Sequence, residues 1–193
     1  MTPAFKVQYE ETKETLIQTC ALYRLDANIL TYRAGAVSVF IAVSVLMSGQ
    51  VNMSKITTSD YLSYFGIWLL IFAGAEIFRR TMGKKLARTA AYGDGDEAYI
   101  KRHPNRTNPL KISMEFFDDH FDNKTQTQSV SYHFGDVRKL LEDKDAFGIV
   151  IRSSLGPRGL YAFPRNAMDE TEYEALKAHL IKNCPKVSKV TQL

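Results

Sequence analysis

Cysteine is nearly absent from this chain. Cys20 and Cys184 are the only two, far apart, with no CxxC and no metal-like spacing. That pattern leaves no zinc module and no redox motif, and it reads as two reduced thiols in a reducing compartment. Charge of one sign is also scarce. Twenty-five Lys and Arg against 21 Asp and Glu give a formal net charge of +4, which is not the balance of a general nucleic-acid binder. Catalytic signatures are missing too: there is no GxSxG, no phosphate loop and no GxGxxG. His103, His120, His133 and His179 form no HxxxH or HExxH pair. Asp118-Asp119-His120 sits between two strand-like runs and reads as a solvated hairpin turn rather than a ligand cluster. Asp94 and Asp96 around Gly95 hint at a calcium loop whose remaining ligands are not there. With no acid–base or nucleophile constellation, an enzyme is only the third reading, and neither cofactor nor metal is expected. A cleaved signal peptide is not expected either, because the first apolar run begins only at Ala34 and has no Ala-x-Ala site.

What the chain does have is two apolar runs with a positive cluster behind them. The first is Ala34–Met47, trailing off through Ser48 to Val51; the second is Tyr61–Phe78. About 20 apolar residues at 1.5 Å rise cross a hydrocarbon core of about 30 Å. The runs therefore predict a transmembrane helical hairpin with spans over 34–52 and 61–78. The alternative is the buried core of a soluble helical protein, since Ser38, Ser44, Ser48 and Gly49 leave the first run only moderately apolar. A sustained run of about 18 apolar residues favours the membrane. Ala34, Ser38 and Ala42 on the first span, and Gly66, Ala73 and Gly74 on the second, form small faces through which the spans pack. A homodimer through those faces is the secondary reading. Trp68 lies too deep for an interfacial belt and reads as packing, whereas Tyr61 and Tyr64 fit the outer belt.

Orientation follows from the bases. Lys13, Arg24 and Arg33 precede the first span, the connector Gln50–Asp60 holds only Lys55, and Arg79, Arg80, Lys84, Lys85 and Arg88 follow the second. Both termini are expected in the cytoplasm of a multi-pass inner-membrane protein. The Arg79–Arg88 bases also suit anionic lipid headgroups, at about 1 kcal/mol per base near the surface. Glu76, the one acid inside a span, is expected to pair with Arg79 and Arg80 rather than to carry protons or ions.

Outside the hairpin the periodicity changes. Phe5, Val7 and Tyr9 alternate with Lys6, Gln8 and Glu10, which predicts a strand, and Leu16, Cys20, Tyr23 and Ala27 share one helix face behind it. A lone strand cannot satisfy its own backbone groups, so it needs a sheet in the C-terminal block. A basic connector over 79–109 is predicted to be helical at first and to break at Gly93-Asp94-Gly95-Asp96. Six short strands then follow: Leu110–Phe117, Phe121–Thr125, Ser129–Phe134, Val137–Leu141, Phe147–Arg152 and Leu160–Phe163. Glu142–Asp145 reads as a charged turn between the fourth and fifth. Asp169 with Glu172 opens a final helix whose apolar face is Tyr173, Leu176, Leu180 and Ile181, and Pro185 stops it. With the first strand this makes seven antiparallel strands, predicted to curl into a small barrel or two bent sheets closed by the helix. The segmentation is a 1–33 strand and helix, a 34–78 hairpin, a 79–109 connector, a 110–185 domain and a 186–193 tail.

This order of parts resembles the YcxB-like family of bacterial membrane proteins. Tyr161-Ala162-Phe163-Pro164-Arg165-Asn166-Ala167-Met168, followed by an acid-led helix from Asp169 to Ile181, looks like that family's closing pattern. Ser131-Tyr132-His133-Phe134-Gly135-Asp136-Val137 matches its preceding strand pair, with Phe134 where tryptophan is frequent. The resemblance implies an α+β membrane protein with a transmembrane hairpin and a pleckstrin-homology-like barrel. It implies no catalytic residue. The expected role is non-catalytic: a cytoplasmic domain binding a protein segment or an anionic headgroup at the inner leaflet. The alternative is an accessory or regulatory subunit of a larger membrane assembly, acting through the hairpin. The candidate ligand residues are Arg152, Arg158 and Arg165. They end one strand, sit in the Gly-Pro turn and follow the next strand, and arginine's planar fork suits phosphate. The expected partners are membrane lipids and a protein, not nucleic acid.

Overall fold

A computed structural model of the chain describes residues 2–50, 57–103, 110–151 and 159–193, the side chains of 28–34, 45–50 and 61 excepted. It divides into two compact units. One joins Met1–Arg24 to Thr89–Leu193; the other is Leu25–Arg88.

In the first unit, the predicted N-terminal strand finds its sheet. β1 (Phe5–Glu11) pairs antiparallel with β2 (Leu110–Phe116), and Val7 sits opposite Met114. β3 (His120–Lys124) and β4 (Ser129–His133) complete a sheet of order β1-β2-β3-β4. A second sheet holds β5 (Val137–Glu142), β6 (Ala146–Ile151), β7 (Leu160–Pro164) and β8 (Val190–Gln192), in the order β7-β6-β5-β8. The expected barrel does not close. Between β4 and β5 the chain makes a single 3-10 turn, Phe134–Asp136, and passes into the other sheet. Among the described residues β4 pairs only with β3 and β7 only with β6, so four sheet edges are left where a barrel has none. The sequence also misses β8: the expected tail is a strand, parallel to β5, with Leu140 opposite Val190.

The core lies where the two sheets and the last helix meet. Val7, Met114, Phe116 and Phe121 of the first sheet face Leu140, Phe147, Ile149 and Phe163 of the second. The C-terminal helix, Glu170–Asn183, adds Tyr173, Leu176 and Leu180. Asp169 starts that helix as predicted: its Oδ1 accepts from the backbone N–H groups of Thr171 and Glu172, each at 2.9 Å. Ile181, assigned to the apolar face, is instead exposed. Tyrosine hydroxyls tie the sheets together at two points. Tyr9 Oη donates to the Ala162 carbonyl at 2.8 Å, and the Tyr132 and Tyr161 hydroxyls bond to each other.

The outer face of the second sheet is covered by the N-terminal part of α1 (Lys13–Gln50). Leu22 packs there on Leu141, Ala146, Leu160 and Ala162. Close approach requires Gly148, where a Cβ would come within 2.8 Å of Leu160 Cδ1 and 3.1 Å of Leu22 Cδ1. The expected break at Gly93–Asp96 does not occur. α2 (Thr58–Phe78), a π-helical turn (Arg79–Gly83) and α3 (Lys84–Arg102) run without interruption. Gly95 is where α3 crosses α1: a Cβ there would sit 2.8 Å from the Ile17 Cα and backbone nitrogen. Asp94 and Asp96 are not a calcium loop but clamps on α1, pairing with Arg24 at 2.6 Å and Lys13 at 2.8 Å. Tertiary contact thus overrides the low helix propensity of two glycines, about 1 kcal/mol each.

In the helical unit, Thr57 caps α2. Its hydroxyl accepts from the Asp60 N–H, and the Asp60 carboxylate accepts from the Thr57 N–H at 2.8 Å, a capping box. α1 meets α2 through rings. Phe40 lies edge-on to Trp68 at 6.0 Å, and Tyr64 Oη donates to the Ser44 carbonyl at 3.0 Å; within α2, Trp68 also contacts Phe72 at 4.9 Å. Trp68 is therefore a packing residue. The two glycines of the small face on α2 take no part in that contact: a Cβ on Gly66 or Gly74 would meet nothing within 4 Å. Glu76 pairs with Arg79 and Arg80, as expected from their one-turn spacing. The continuous helix Thr58–Arg102 is 45 residues long, and its most apolar window has mean hydropathy 1.6 with none of it buried. By length and composition it is a candidate membrane span. Of the span expected over 34–52, the shorter apolar stretch Gly35–Ser44 stands out within α1, and residues 51–56, with Lys55, lie outside the described residues.

Candidate functional site

Three places in the described residues concentrate polar chemistry. The first is the basic run on the helix Thr58–Arg102. Arg79 and Arg80 sit in the π-helical turn, and Lys84, Lys85 and Arg88 open α3. Arg79 and Arg80 share the Glu76 carboxylate. Arg80, Lys84 and Lys85 are exposed.

The second is a buried carboxylate that the sequence reading placed in a turn. Glu142 is the last residue of β5 and is only 3% exposed. An unpaired charge at such a site would cost several kcal/mol, so its partners matter. Tyr173 Oη donates to Oε1 at 2.7 Å, Gln192 Nε2 donates to Oε2 at 2.6 Å, and Lys177 Nζ lies 3.1 Å from Oε2. Burial pushes this carboxyl up, but the hydrogen bonds from Tyr173, Gln192 and Lys177 outweigh burial and hold it below the usual carboxylate range. Burial and the bond to Glu142 push the Tyr173 hydroxyl up.

Arg165 belongs to this cluster. Its Nη2 donates to Glu170 Oε1 at 2.5 Å, its Nη1 lies 3.5 Å from Glu142 Oε1, and its guanidinium covers the Tyr173 ring at 4.8 Å. It fastens the end of β7 to the start of the helix Glu170–Asn183, hereafter α4. Of the three arginines assigned to one rim, this is the one whose surroundings are visible; Arg152 and Arg158 lie outside the described residues.

The third place is a cavity of about 710 Å³ within the α+β unit, a volume typical of small-ligand sites. Leu16, Ile112, Met114 and Leu160 give it apolar walls. Its charges come in pairs: Arg24 with Asp94, Lys101 with Glu97 at 2.6 Å, and Arg102 with the buried Glu11 at 2.6 Å. Such a lining carries little net field, so it suits an uncharged group better than a phosphate. Cys20 opens into it. Burial and the nearby Asp94 raise that thiol, and burial pushes Cys184 up to about 11, so both stay protonated at neutral pH.

Among the described residues no group of three or more His, Cys, Asp or Glu side chains converges as a metal site. Asp118 and Asp119 make the bend between β2 and β3, but His120, expected in that turn, is the first residue of β3, with Nδ1 2.5 Å from Asp119. Sequence reasoning found the basic run and missed both Glu142 and the cavity. A single glutamate after Leu140-Leu141 looks like the start of the charged turn Glu142–Asp145, and no local signal separates a buried carboxylate from an exposed one. The cavity depends on α1 and α3 crossing at Gly95, which no local pattern announces. No protein-family model, no curated protein and no solved structure matches this chain.

Proposed function

We propose that the chain is a non-catalytic, membrane-anchored binding protein of the bacterial inner membrane. In this reading α1 and α2 form the transmembrane hairpin, with both termini in the cytoplasm. The α+β unit is then a pleckstrin-homology-like domain that binds a protein segment or an anionic headgroup at the inner leaflet, as the YcxB-like resemblance implies. The observation that carries the reading is the helix Thr58–Arg102. Its most apolar window is unburied, and that apolar stretch ends against Arg79, Arg80, Lys84, Lys85 and Arg88. Unburied apolar side chains need an apolar solvent, and bases just beyond them suit a cytoplasmic, anionic surface.

Reporter fusions test the anchor. A reporter after Leu193 is expected to read cytoplasmic and one at Lys55 external. Replacing Arg80, Lys84, Lys85 and Arg88 by Gln should mix the orientations and lower the anionic lipid that co-purifies in detergent several-fold. An external C-terminal reporter sinks the reading.

One observation favours the alternative role, an accessory subunit acting through the hairpin. Gly66 and Gly74 leave open space on α2, where another helix could approach closely. Gly74→Leu should then release a co-purifying membrane protein, or a second copy of the chain, without disturbing the α+β unit.

A further inference from the structure

β8 differs from the other strands of its sheet. It has three residues, and it is parallel to its neighbour where β6 and β7 are antiparallel; like β7 at the opposite edge, it has a single strand partner among the described residues, β5. It arrives after a turn in which the Val187 N–H donates to the Cys184 carbonyl at 3.0 Å. Its side chains nonetheless fit specific places. Val187 is buried in the main core and Val190 packs against it. On the opposite face of the sheet, Leu193 packs against the Leu22–Leu141 cluster. Gln192 reaches Glu142, and the Leu193 N–H donates to the Glu142 carbonyl at 3.0 Å.

Gln192 is one of several partners that hold the Glu142 carboxylate at the slot that receives β8. Glu142 keeps Tyr173, Lys177 and Arg165 whether or not Gln192 is present. Departure of the strand therefore leaves no unpaired buried charge. α4 holds its own place through Tyr173, Leu176 and Leu180. A three-residue edge strand belongs to the least stable elements of a fold, while the strand beneath it belongs to the most stable.

We infer that the β5 edge is a strand-docking site for an extended segment of a partner protein, and that residues 187–193 of the chain occupy it in cis as a displaceable latch. The seated segment defines the chemistry of the partner. An apolar residue is followed three positions later by another, then two positions later by a side-chain donor for Glu142, then directly by a further apolar residue. Main-chain pairing along β5 supplies affinity, and the Glu142 carboxylate selects the donor. This deepens the protein-segment reading above and is independent of the membrane anchor, since peptide binding can be measured in micelles whatever the topology.

The test compares the full chain in detergent with the same chain ending at Pro185. The probe is a fluorescent peptide of residues 186–193. The shortened chain is expected to bind it, and the full chain at least about tenfold more weakly, because the tethered copy competes at high effective concentration. Gln192→Ala in the peptide should weaken binding, and Val190→Asp should abolish it. Equal binding by both chains, or a protease-resistant shortened chain that does not bind, overturns the proposal. A full chain that dimerises by exchanging this segment, and loses the dimer on Val190→Asp, replaces the partner with a second copy and also overturns it. Hydrogen exchange on the unaltered full chain covers a shortened chain that fails to fold. The Leu193 amide should exchange at least about 100-fold faster than the amides shared by β5 and β6. Equal rates would show that the segment is a fixed part of the fold.

Discussion

The two units of this chain use the same residues in opposite directions. In the α+β unit, Val7, Phe116, Leu140 and Ile149 are fully buried. In the helical unit, Leu62 is 68% exposed, Leu70 74% and Ile77 63%. Core aliphatics each contribute about 1.5–3 kcal/mol by leaving water. The α2 aliphatics gain nothing of the kind inside the folded chain. The contrast teaches that one unit draws its stability from a core, whereas the other, in the proposal above, draws it from the surrounding lipid.

The sharpest way to break the contrast is Val7→Asp. It sets a charge against Met114 and Phe116 in the buried face of β1, and should cost the α+β unit about 4 kcal/mol. Protease cleavage after Leu110 reads that loss. A smaller effect is expected at Glu142. Its carboxyl is held below the ordinary range, so the stabilisation it provides is complete above the unfolded carboxylate value and is lost as pH falls through the lower folded value. Glu142→Gln should cost about 2 kcal/mol near neutral pH and flatten the acid limb of a melting-temperature profile. An unchanged acid limb would remove Glu142 from that role. The smallest effect belongs to the other unit. Leu70→Ser should change the urea unfolding free energy of the α+β unit by less than about 0.5 kcal/mol. A loss as large as a core leucine gives would mean that α2 is covered after all.

Legibility in the sequence follows the range of the interactions. The alternation of Ile112, Met114 and Phe116 announces β2, because its inner face is buried along its length. Asp169 announces α4, because a cap is a local bond. β8 is invisible at that range. Val190-Thr191-Gln192 is too short to show a period, and it becomes a strand only because β5 offers an edge. The question of a barrel against two sheets is equally non-local, since each strand has the same pattern either way. Arg165 is placed at an anionic rim by its position after the strand that follows the Gly-Pro turn, whereas its contact with Glu142, a distant partner, cannot be seen from the turn. The glycines near Asp94 read as a break for the same reason: Ile17, the residue that explains Gly95, lies far away in the chain.

That crossing acts as an indexing notch. α3 touches the α1 backbone at Gly95, a position that carries no side chain, and a slip of one helical turn, about 5.4 Å, would bring Ala91 or Tyr99 onto Ile17 instead. A Cβ does not fit there, so the slipped alignments are closed by shape alone. Asp94 and Asp96 then close them by charge, since each meets its base, Arg24 or Lys13, in the notched alignment. One missing methyl group thus sets which residues of α1 and α3 line the cavity, and so what that cavity can hold.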